Sequence, residues 1–174
     1  MKMLKSGFFD RSSVIVAKEL LGKYLVRKIR GKEKAYRILE TEACEGGKDK
    51  ASHASRGQTV RNTPMFGKPG TIYVYFTYGM HWMLNIVCGK VGHPAAVLIR
   101  GVENCIGPGR LTKKLSIDKA LNEKPLDKKT RLWIEEDNNF EFKKSMVVKT
   151  KRIGIDYAGA IWSKKLYRVV LKSK

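Results

Sequence analysis

The fold is decided by one stretch, Thr71-Ile72-Tyr73-Val74-Tyr75-Phe76-Thr77-Tyr78-Gly79-Met80-His81-Trp82-Met83-Leu84-Asn85-Ile86-Val87-Cys88. β-branched and aromatic residues dominate both halves, and Gly79 allows a tight turn between them. The stretch therefore predicts strands over Thr71–Thr77 and Met80–Cys88. A third strand is predicted over Ala95–Val102. Because no helix separates the three segments, they should pair as an antiparallel meander.

Weaker patterns on both sides of this meander predict short helices and further strands. Upstream, Ser12 and Ser13 cap a helix over Val14–Leu21, and Arg30-Gly31-Lys32 joins two strands into a hairpin. Outside the meander, the predicted elements are strands over Tyr24–Ile29, Ala35–Ala43, Arg131–Glu135, Met146–Ile155 and Leu166–Leu171 and a basic helix over Arg110–Ile117. Since there is no internal repeat or clear boundary, residues 1–174 should form one α+β domain.

The predicted strand Ala35–Ala43 has an unusual face. Alternate side chains of a strand point to the same side of the sheet. One side of this strand therefore carries Tyr36, Ile38, Glu40 and Glu42. A face that changes from apolar to acidic indicates that the strand leaves the core and enters a polar site. The following residues, 44–70, form a long polar connection, which inside a compact domain is typically functional or disordered.

The charge of the chain is strongly positive along its whole length. It has 36 Lys and Arg against 16 Asp and Glu, a formal net charge of +20, and residues 1–104 and 105–174 contribute equally. A basic tail on an ordinary domain is thus excluded, and 43% hydrophobic residues exclude general disorder. Such a charge favours a polyanionic partner, with DNA, RNA and an anionic membrane all open. A solvated, solubilising surface is the alternative interpretation.

Compartment and metal content follow from what the chain lacks. Charges interrupt the first residues before an apolar stretch of signal-peptide length develops, and no run approaches the ~18 apolar residues of a membrane span. We expect an intracellular protein, in the cytoplasm or nucleoid of a prokaryote or the nucleus of a eukaryote. Cys44, Cys88 and Cys105 fit neither a disulfide framework nor a zinc pattern, so three reduced thiols and no metal site are expected.

One region combines cations with aromatic rings. Residues 50–102 contain no Asp or Glu, and five aromatic residues stand between positions 66 and 78. Cations interleaved with aromatics suit nucleic acid, since cations meet phosphates and rings stack on bases. Tyr73 and Tyr75 share one face of their strand, with Val74 and Phe76 on the other. If both faces are buried, the tyrosines simply fill the core, and the spacing alone does not decide between the two interpretations.

Several linked motifs resemble the alkyladenine (3-methyladenine) DNA glycosylase family over roughly residues 37–112. In chain order they are Leu39-Glu40-Thr41-Glu42-Ala43, His53, Thr59-Val60-Arg61-Asn62-Thr63-Pro64-Met65-Phe66, Lys68-Pro69-Gly70-Thr71-Ile72-Tyr73-Val74-Tyr75, Tyr78-Gly79-Met80-His81, Asn85, Leu98-Ile99-Arg100 and Gly107-Pro108-Gly109-Arg110-Leu111. A weaker similarity appears at Arg152-Ile153-Gly154-Ile155 and near Trp162. The resemblance implies a single α+β domain with a curved, mostly antiparallel sheet flanked by short helices. It also implies an enzyme that flips alkylated or otherwise damaged purines out of duplex DNA and hydrolyses the N-glycosidic bond.

The resemblance assigns the catalytic step to Glu42. This carboxylate would activate a water for attack on the sugar C1′ and stabilise an oxocarbenium-like transition state. Arg100 should help to hold that water and a phosphate, and the main-chain carbonyl of Ile153 would be a further water ligand. Glu40 is the rival carboxylate, but the motif places catalysis on the glutamate directly before Ala43. No dedicated acid for the leaving base is identified.

The remaining site residues follow from the same resemblance. Tyr78 would enter the duplex as a wedge, with Met80 beside it. His53 and Tyr75 would line the base pocket, and Asn85 would discriminate against normal bases at its mouth. Among the basic side chains, we expect Arg61, Lys68 and Arg110 to contact the DNA. No cofactor and no obligate protein partner are expected, and the enzyme should act as a monomer on double-stranded DNA, with no membrane association.

The sequence departs from the family at Cys44, where a tyrosine usually stacks on the flipped base. A thiol has no π face, and base–aromatic stacking is worth ~1–3 kcal/mol per base. We therefore expect a roomier pocket with an altered range of lesions and weaker binding of flat neutral bases such as ethenoadenine. Cys44→Tyr should gain excision of such lesions in a single-turnover assay.

The residue types of the chain leave three other functions open. Cys44 and His53 beside Glu42 are the components of a thiol hydrolase, although no motif supplies an oxyanion hole. A glycosylase/lyase would need a nucleophilic lysine, and no motif marks one. A non-catalytic protein that binds damaged DNA is the third possibility, against which the presence of Glu42 and Arg100 argues.

Overall fold

The computed structural model describes residues 1–137 and 143–172. The strands are β1 (Lys2–Met3), β2 (Tyr24–Ile29), β3 (Lys32–Glu45), β4 (Ile72–Thr77), β5 (His81–Val87), β6 (Ala95–Val102), β7 (Cys105–Ile106), β8 (Leu132–Glu136), β9 (Val147–Thr150) and β10 (Arg168–Leu171). The helices are α1 (Ser6–Phe9), α2 (Ser13–Leu20), α3 (Pro108–Lys114) and α4 (Gly159–Trp162), with 3₁₀ turns at Thr63–Phe66, Lys119–Leu121, Lys144–Met146 and Asp156–Ala158. Within the described residues, no helix is long and apolar enough to cross a membrane.

The strands form a curved sheet in the order β1-β8-β2-β3-β6-β5-β4, in which the neighbouring strands run antiparallel. The long strand β3 changes partners along its length. It pairs with β2 over residues 32–37 and with β6 over 38–45, while β10 pairs with residues 40–42. The α+β class, the antiparallel meander and the β2–β3 hairpin predicted from the sequence are thus confirmed.

Two predicted elements differ in length from those of the structure. The strand expected over Met146–Ile155 stops at Thr150, because the next residues turn inward toward a buried ion pair and Gly154 has φ +74. The helix expected over Arg110–Ile117 begins at Pro108 and ends at Lys114. Pro108 occupies its first turn, where a missing N–H costs nothing, and Ser116 has φ +49, which no helix continues.

The main core lies between the sheet and the helices α2 and α3, and a second cluster lies beyond it. Val74 belongs to the main core, whereas Tyr73 is buried in the smaller cluster with Met65, Val87 and Ala96. Tyr75 is only partly buried at the edge of this cluster. The strand β4 therefore buries one face in the core and turns its two tyrosines toward a separate, partly open region.

Candidate active site

A cavity of about 290 Å³ opens beside the strands β3, β6, β5 and β4. Its volume is near the lower end of the ~300–1,000 Å³ typical of ligand pockets. The residues that line it are Glu42, Cys44, Ala51, His53, Met65, Tyr73, Tyr75, Thr77, Tyr78, Met83, Asn85, Ala96, Leu98, Arg100, Pro108, Ile153, Gly154, Ile155 and Tyr157. All the residues that the sequence assigned to catalysis or base binding are therefore at this cavity.

Glu42 is buried in the cavity wall at 6% exposure. Its Oε2 lies 3.1 Å from Nη1 of Arg100 and accepts a hydrogen bond from the main-chain N–H of Ile153 at 3.4 Å. Burial raises the pKa of Glu42 above its usual range, and the opposing effects of Arg100 and of the Ile153 N–H do not cancel this. The site thus holds a carboxylate that is a stronger base than one in water.

Arg100 reaches two carboxylates because the β3–β6 ladder is irregular. The register shifts on either side of Glu40, which stands opposite Gly101. Nε of Arg100 donates to Oε1 of Glu40 at 2.9 Å, while Nη1 faces Glu42. A Cβ on Gly101 would lie 2.9 Å from Cδ1 of Ile106 and 3.3 Å from Cβ of Glu40, so a larger residue would displace the end of the Ile106 side chain and crowd Glu40.

Glu40 is as buried as Glu42 but has different neighbours. It is 5% exposed, and its Oε1 accepts hydrogen bonds from Nε of both Arg100 and Arg168. Arg168 comes from β10, where its Nη1 donates to Thr150 at 3.0 Å. Two guanidinium groups therefore neutralise Glu40, and it does not line the cavity.

A buried ion pair that the sequence analysis did not assign to the site holds the segment after β9. The guanidinium of Arg152 donates to both carboxylate oxygens of Asp49 and to the main-chain oxygen of Ala43, and both side chains of the pair have zero exposure. Asp49 also accepts from the N–H groups of Glu45 and Ala51. This pair ties residues 151–155 to the loop after β3 and so places the main-chain N–H of Ile153 against Glu42. That the carbonyl of Ile153 binds the reacting water stays a prediction.

Aromatic rings form another wall of the cavity. The ring centroid of His53 lies 4.5 Å from that of Tyr75 in an edge-to-face arrangement, and its Nδ1 is 3.2 Å from the hydroxyl of Tyr73. Burial, assisted by the charge of Arg61, lowers the pKa of His53. A neutral imidazole at this wall can exchange hydrogen bonds with a ligand at Nε2, because Nδ1 is engaged by Tyr73.

Two further wall residues were expected from the sequence. Asn85 is 4% exposed and its Nδ2 donates to the main-chain oxygens of Tyr73 and Met83, so it lies in the wall rather than at the mouth. Cys44 is partly buried beside the aromatic cluster. Burial, with a contribution from Glu42, raises the pKa of its thiol to about 12. Cys44 is therefore a neutral thiol at pH 7, which argues against a thiolate nucleophile.

Tyr78 stands at the rim of the cavity, in the turn between β4 and β5. It has φ +52 and Gly79 has φ +65, the pair of left-handed residues that a type I′ hairpin turn requires. An aromatic residue in this region is strained, and the strained turn leaves the ring 79% exposed. A Cβ on Gly154 would lie 3.9 Å from its hydroxyl, so Tyr78 leans toward residues 153–157. Met80, at 67% exposure, is in the same turn.

The three predicted basic DNA contacts lie in different places. Arg61 is near the cavity, since its guanidinium carbon lies 5.0 Å from the ring centroid of Tyr75 and its Nη2 donates to Phe76 O. Arg110 is exposed in the first turn of α3, two residues after Pro108 of the cavity wall. Lys68 is exposed at the opposite end of the β4–β5 hairpin from Tyr78, roughly 20 Å away by the rise of a strand.

This arrangement is that of an antiparallel α+β domain in which a buried carboxylate and an arginine line a pocket with aromatic walls. The comparison with known families then gives the assignment. The model of the methylpurine-DNA glycosylase family matches residues 7–106 and 102–174, and the chain belongs to this family. The resemblance found in the sequence is confirmed.

Similar proteins occur in archaea and bacteria. A protein of Methanocella arvoryzae is 43% identical, over 91% of this chain and 88% of its own length. Proteins of Desulfitobacterium hafniense and of Legionella pneumophila (strain Corby) are each 40% identical, covering 91% and 99% of this chain and 90% and 96% of their own lengths. All three carry the name "Putative 3-methyladenine DNA glycosylase".

Proposed function

We propose that this protein is a monofunctional DNA glycosylase that removes alkylated or otherwise damaged purines from duplex DNA. Its substrates would include 3-methyladenine, 7-methylguanine and hypoxanthine, each flipped from the helix into the 290 Å³ cavity. The product is an abasic site. Residues 1–174 act as one domain and as a monomer, and hydrolysis needs only water besides the DNA.

The observation that carries this proposal is the setting of Glu42. Its carboxylate faces the cavity, its pKa is raised by burial, and Arg100 and the Ile153 N–H hold the same oxygen, Oε2. Oε1 has no hydrogen-bond partner among the described residues and is available to a water. A base whose pKa is closer to neutral accepts a proton more readily in the transition state.

In the proposed reaction, the lone pair of a water oxygen forms a bond to C1′ of the flipped nucleotide. The bond between C1′ and the base nitrogen breaks, and its electron pair leaves with the base. Glu42 takes the proton of the water. During this step the sugar develops oxocarbenium character, and the negative carboxylate in a water-poor site stabilises that positive charge.

The leaving group sets which lesions need further assistance. A cationic base such as 3-methyladenine or 7-methylguanine takes up the electron pair and leaves neutral, so no acid is required. Hypoxanthine must gain a proton as it leaves. His53 is held neutral at the aromatic wall, and no cationic acid other than arginine is among the described residues that line the cavity. We therefore expect cationic lesions to be excised faster than neutral ones.

The positive charge of the chain has a place in this proposal. The acid-free residues 50–102 include Tyr78, most of the cavity wall and exposed Arg61, while exposed Arg110 follows nearby. They would bind phosphates without regard to sequence, which places the enzyme on DNA during its search. The affinity for undamaged duplex should therefore fall steeply with salt. An affinity insensitive to salt would contradict this role.

The test is abasic-site formation on an oligonucleotide duplex that holds one 7-methylguanine or hypoxanthine. The wild-type protein should release the base and leave an alkali-labile site, while Glu42→Gln should bind the duplex and release almost nothing. Binding of lesion DNA by the wild type without base release would instead favour the non-catalytic binder. A covalent adduct trapped with borohydride would favour the lyase, although no lysine is found among the described residues lining the cavity.

A further inference from the structure

One exposed aromatic residue at the cavity has no role in the proposed reaction. Tyr157 lies in the 3₁₀ turn Asp156–Ala158 and lines the cavity, although the residue is 72% exposed. Its only described hydrogen bond is from the hydroxyl to the main-chain oxygen of Ala51 at 3.4 Å. Exposed single apolar residues are common, but this ring is exposed at the wall of a cavity, where its face is available to a planar ligand.

The backbone that carries Tyr157 is anchored on both sides, which keeps the residue at the cavity wall. Ile155 and Ala158 on either side are 7% and 2% exposed and pack against Ala51. Arg152, through its pair with Asp49, anchors the start of the same segment. Residues 153–157 therefore form a firm wall that does not belong to the sheet, and Tyr157 is the aromatic side chain on it.

The sheet side of the cavity offers one aromatic ring for stacking, that of Tyr75, and a thiol at Cys44. Tyr75 presents a ring there, with His53 against it edge-to-face and the guanidinium of Arg61 5.0 Å from its centroid. Cys44, also on the sheet side, contributes a thiol without a π face. Cys44 and Tyr157 both line this cavity, Cys44 from the sheet and Tyr157 from the 153–157 wall. A planar base held at both faces therefore lacks one aromatic partner unless Tyr157 supplies it.

We propose that Tyr157 is a specificity-determining residue that stacks on the flipped base from the 153–157 wall and supplies the ring missing at Cys44. This inference rests on the proposed function, since it concerns the capture of an extruded base. The ring has few internal contacts to lose, and its stacking adds directly to base binding. The gain expected for Cys44→Tyr should consequently be larger when Tyr157 is absent than when it is present.

The experiment measures base capture separately from catalysis. In the Glu42→Gln background, dissociation constants are determined for a duplex with one 7-methylguanine and for the same duplex undamaged, and their ratio reports the captured base. Loss of ~1–3 kcal/mol of stacking predicts that Tyr157→Ala lowers this ratio about tenfold. Tyr157→Phe, which keeps the ring, should stay within about twofold of the parent. Ile161→Ala is the matched control, because Ile161 is equally exposed on the following helix and does not line the cavity.

A second variant separates loss of the ring from a loss of folding. Adding Cys44→Tyr to Tyr157→Ala should restore most of the lesion preference, which a damaged fold would not allow. An unchanged ratio for Tyr157→Ala would overturn the inference, as would an equal loss in Tyr157→Phe. In either case an active wild type leaves the proposed function intact. If instead the wild type neither prefers nor excises the lesion, it is the proposed function that fails.

Discussion

The surroundings of Glu40 and Glu42 differ, although the two carboxylates stand two residues apart on β3 and are almost equally buried. Glu40 is bound between Arg100 and Arg168, both of which donate to a single oxygen. Glu42 shares Arg100 and has one main-chain N–H, and its burial is not fully compensated, so its pKa is raised. Equal burial therefore does not give two carboxylates the same pKa or the same access to the cavity, and the cations around each of them distinguish the two.

The comparison also explains how one arginine serves both residues. The shifted register at Glu40 brings Arg100 between the two carboxylates, and its Nε and Nη1 face different partners. Arg168 can also donate to Glu40, because its strand β10 pairs with β3 at residues 40–42. We infer that Glu40 holds the Arg100 side chain in position, so that its guanidinium can contact Glu42 at the cavity.

The largest effect on stability should follow from Glu40→Gln. The change removes a charge that two buried or half-buried guanidinium groups share, and breaking a buried ion pair costs ~3–5 kcal/mol. Because Arg100 retains Glu42 and Arg168 is 23% exposed, we expect the lower end, about 3 kcal/mol. Urea unfolding at neutral pH measures this free energy. A loss below about 1 kcal/mol would mean that Glu40 is not the structural partner of the two arginines.

A smaller and opposite effect is expected for Glu42→Gln. Since burial raises the pKa of Glu42 in the folded protein above its ordinary value of 4.5, ionisation of this group lowers stability as the pH rises through that range. The neutral amide avoids this cost. The variant should thus unfold at higher urea than the wild type at pH 7, and the difference should vanish below pH 4. A destabilised Glu42→Gln at pH 7 would contradict the raised pKa.

The smallest predicted effect is a shift in the pH dependence of excision. Because the proposed reaction needs ionised Glu42, the single-turnover rate should fall as the pH decreases through the raised pKa of Glu42. The charge of Arg168 lowers that pKa, and Arg168→Gln should therefore move the acidic limb to higher pH. Thr150→Ala is the control, because it removes the other partner of Arg168 and leaves the charge. If the acidic limb of the Arg168→Gln variant stays at the wild-type pH, the charge of Arg168 does not lower the pKa of the group that controls activity.

Much of the fold and part of the site could be predicted from the sequence. Period-two patterns and turn residues identified β4, β5 and β6, and motif order led to Glu42 and Arg100. The pair of Asp49 and Arg152 could not be found in this way, because the two residues are 103 positions apart and no local spacing relates them. Tyr157 was missed for the same reason, since only the packing of its neighbours on Ala51 places it at the cavity.

The most direct test of the account is a single-turnover comparison of Glu42→Gln and Glu40→Gln on a duplex with one 7-methylguanine, at a temperature where both variants remain folded. Loss of a general base typically costs about 10²–10⁴-fold in rate. We predict that Glu42→Gln loses excision by this factor while retaining lesion binding. Glu40→Gln should keep its rate within about tenfold of the wild type. The reverse result, with Glu40→Gln inactive and Glu42→Gln active, would contradict the assignment of the two carboxylates.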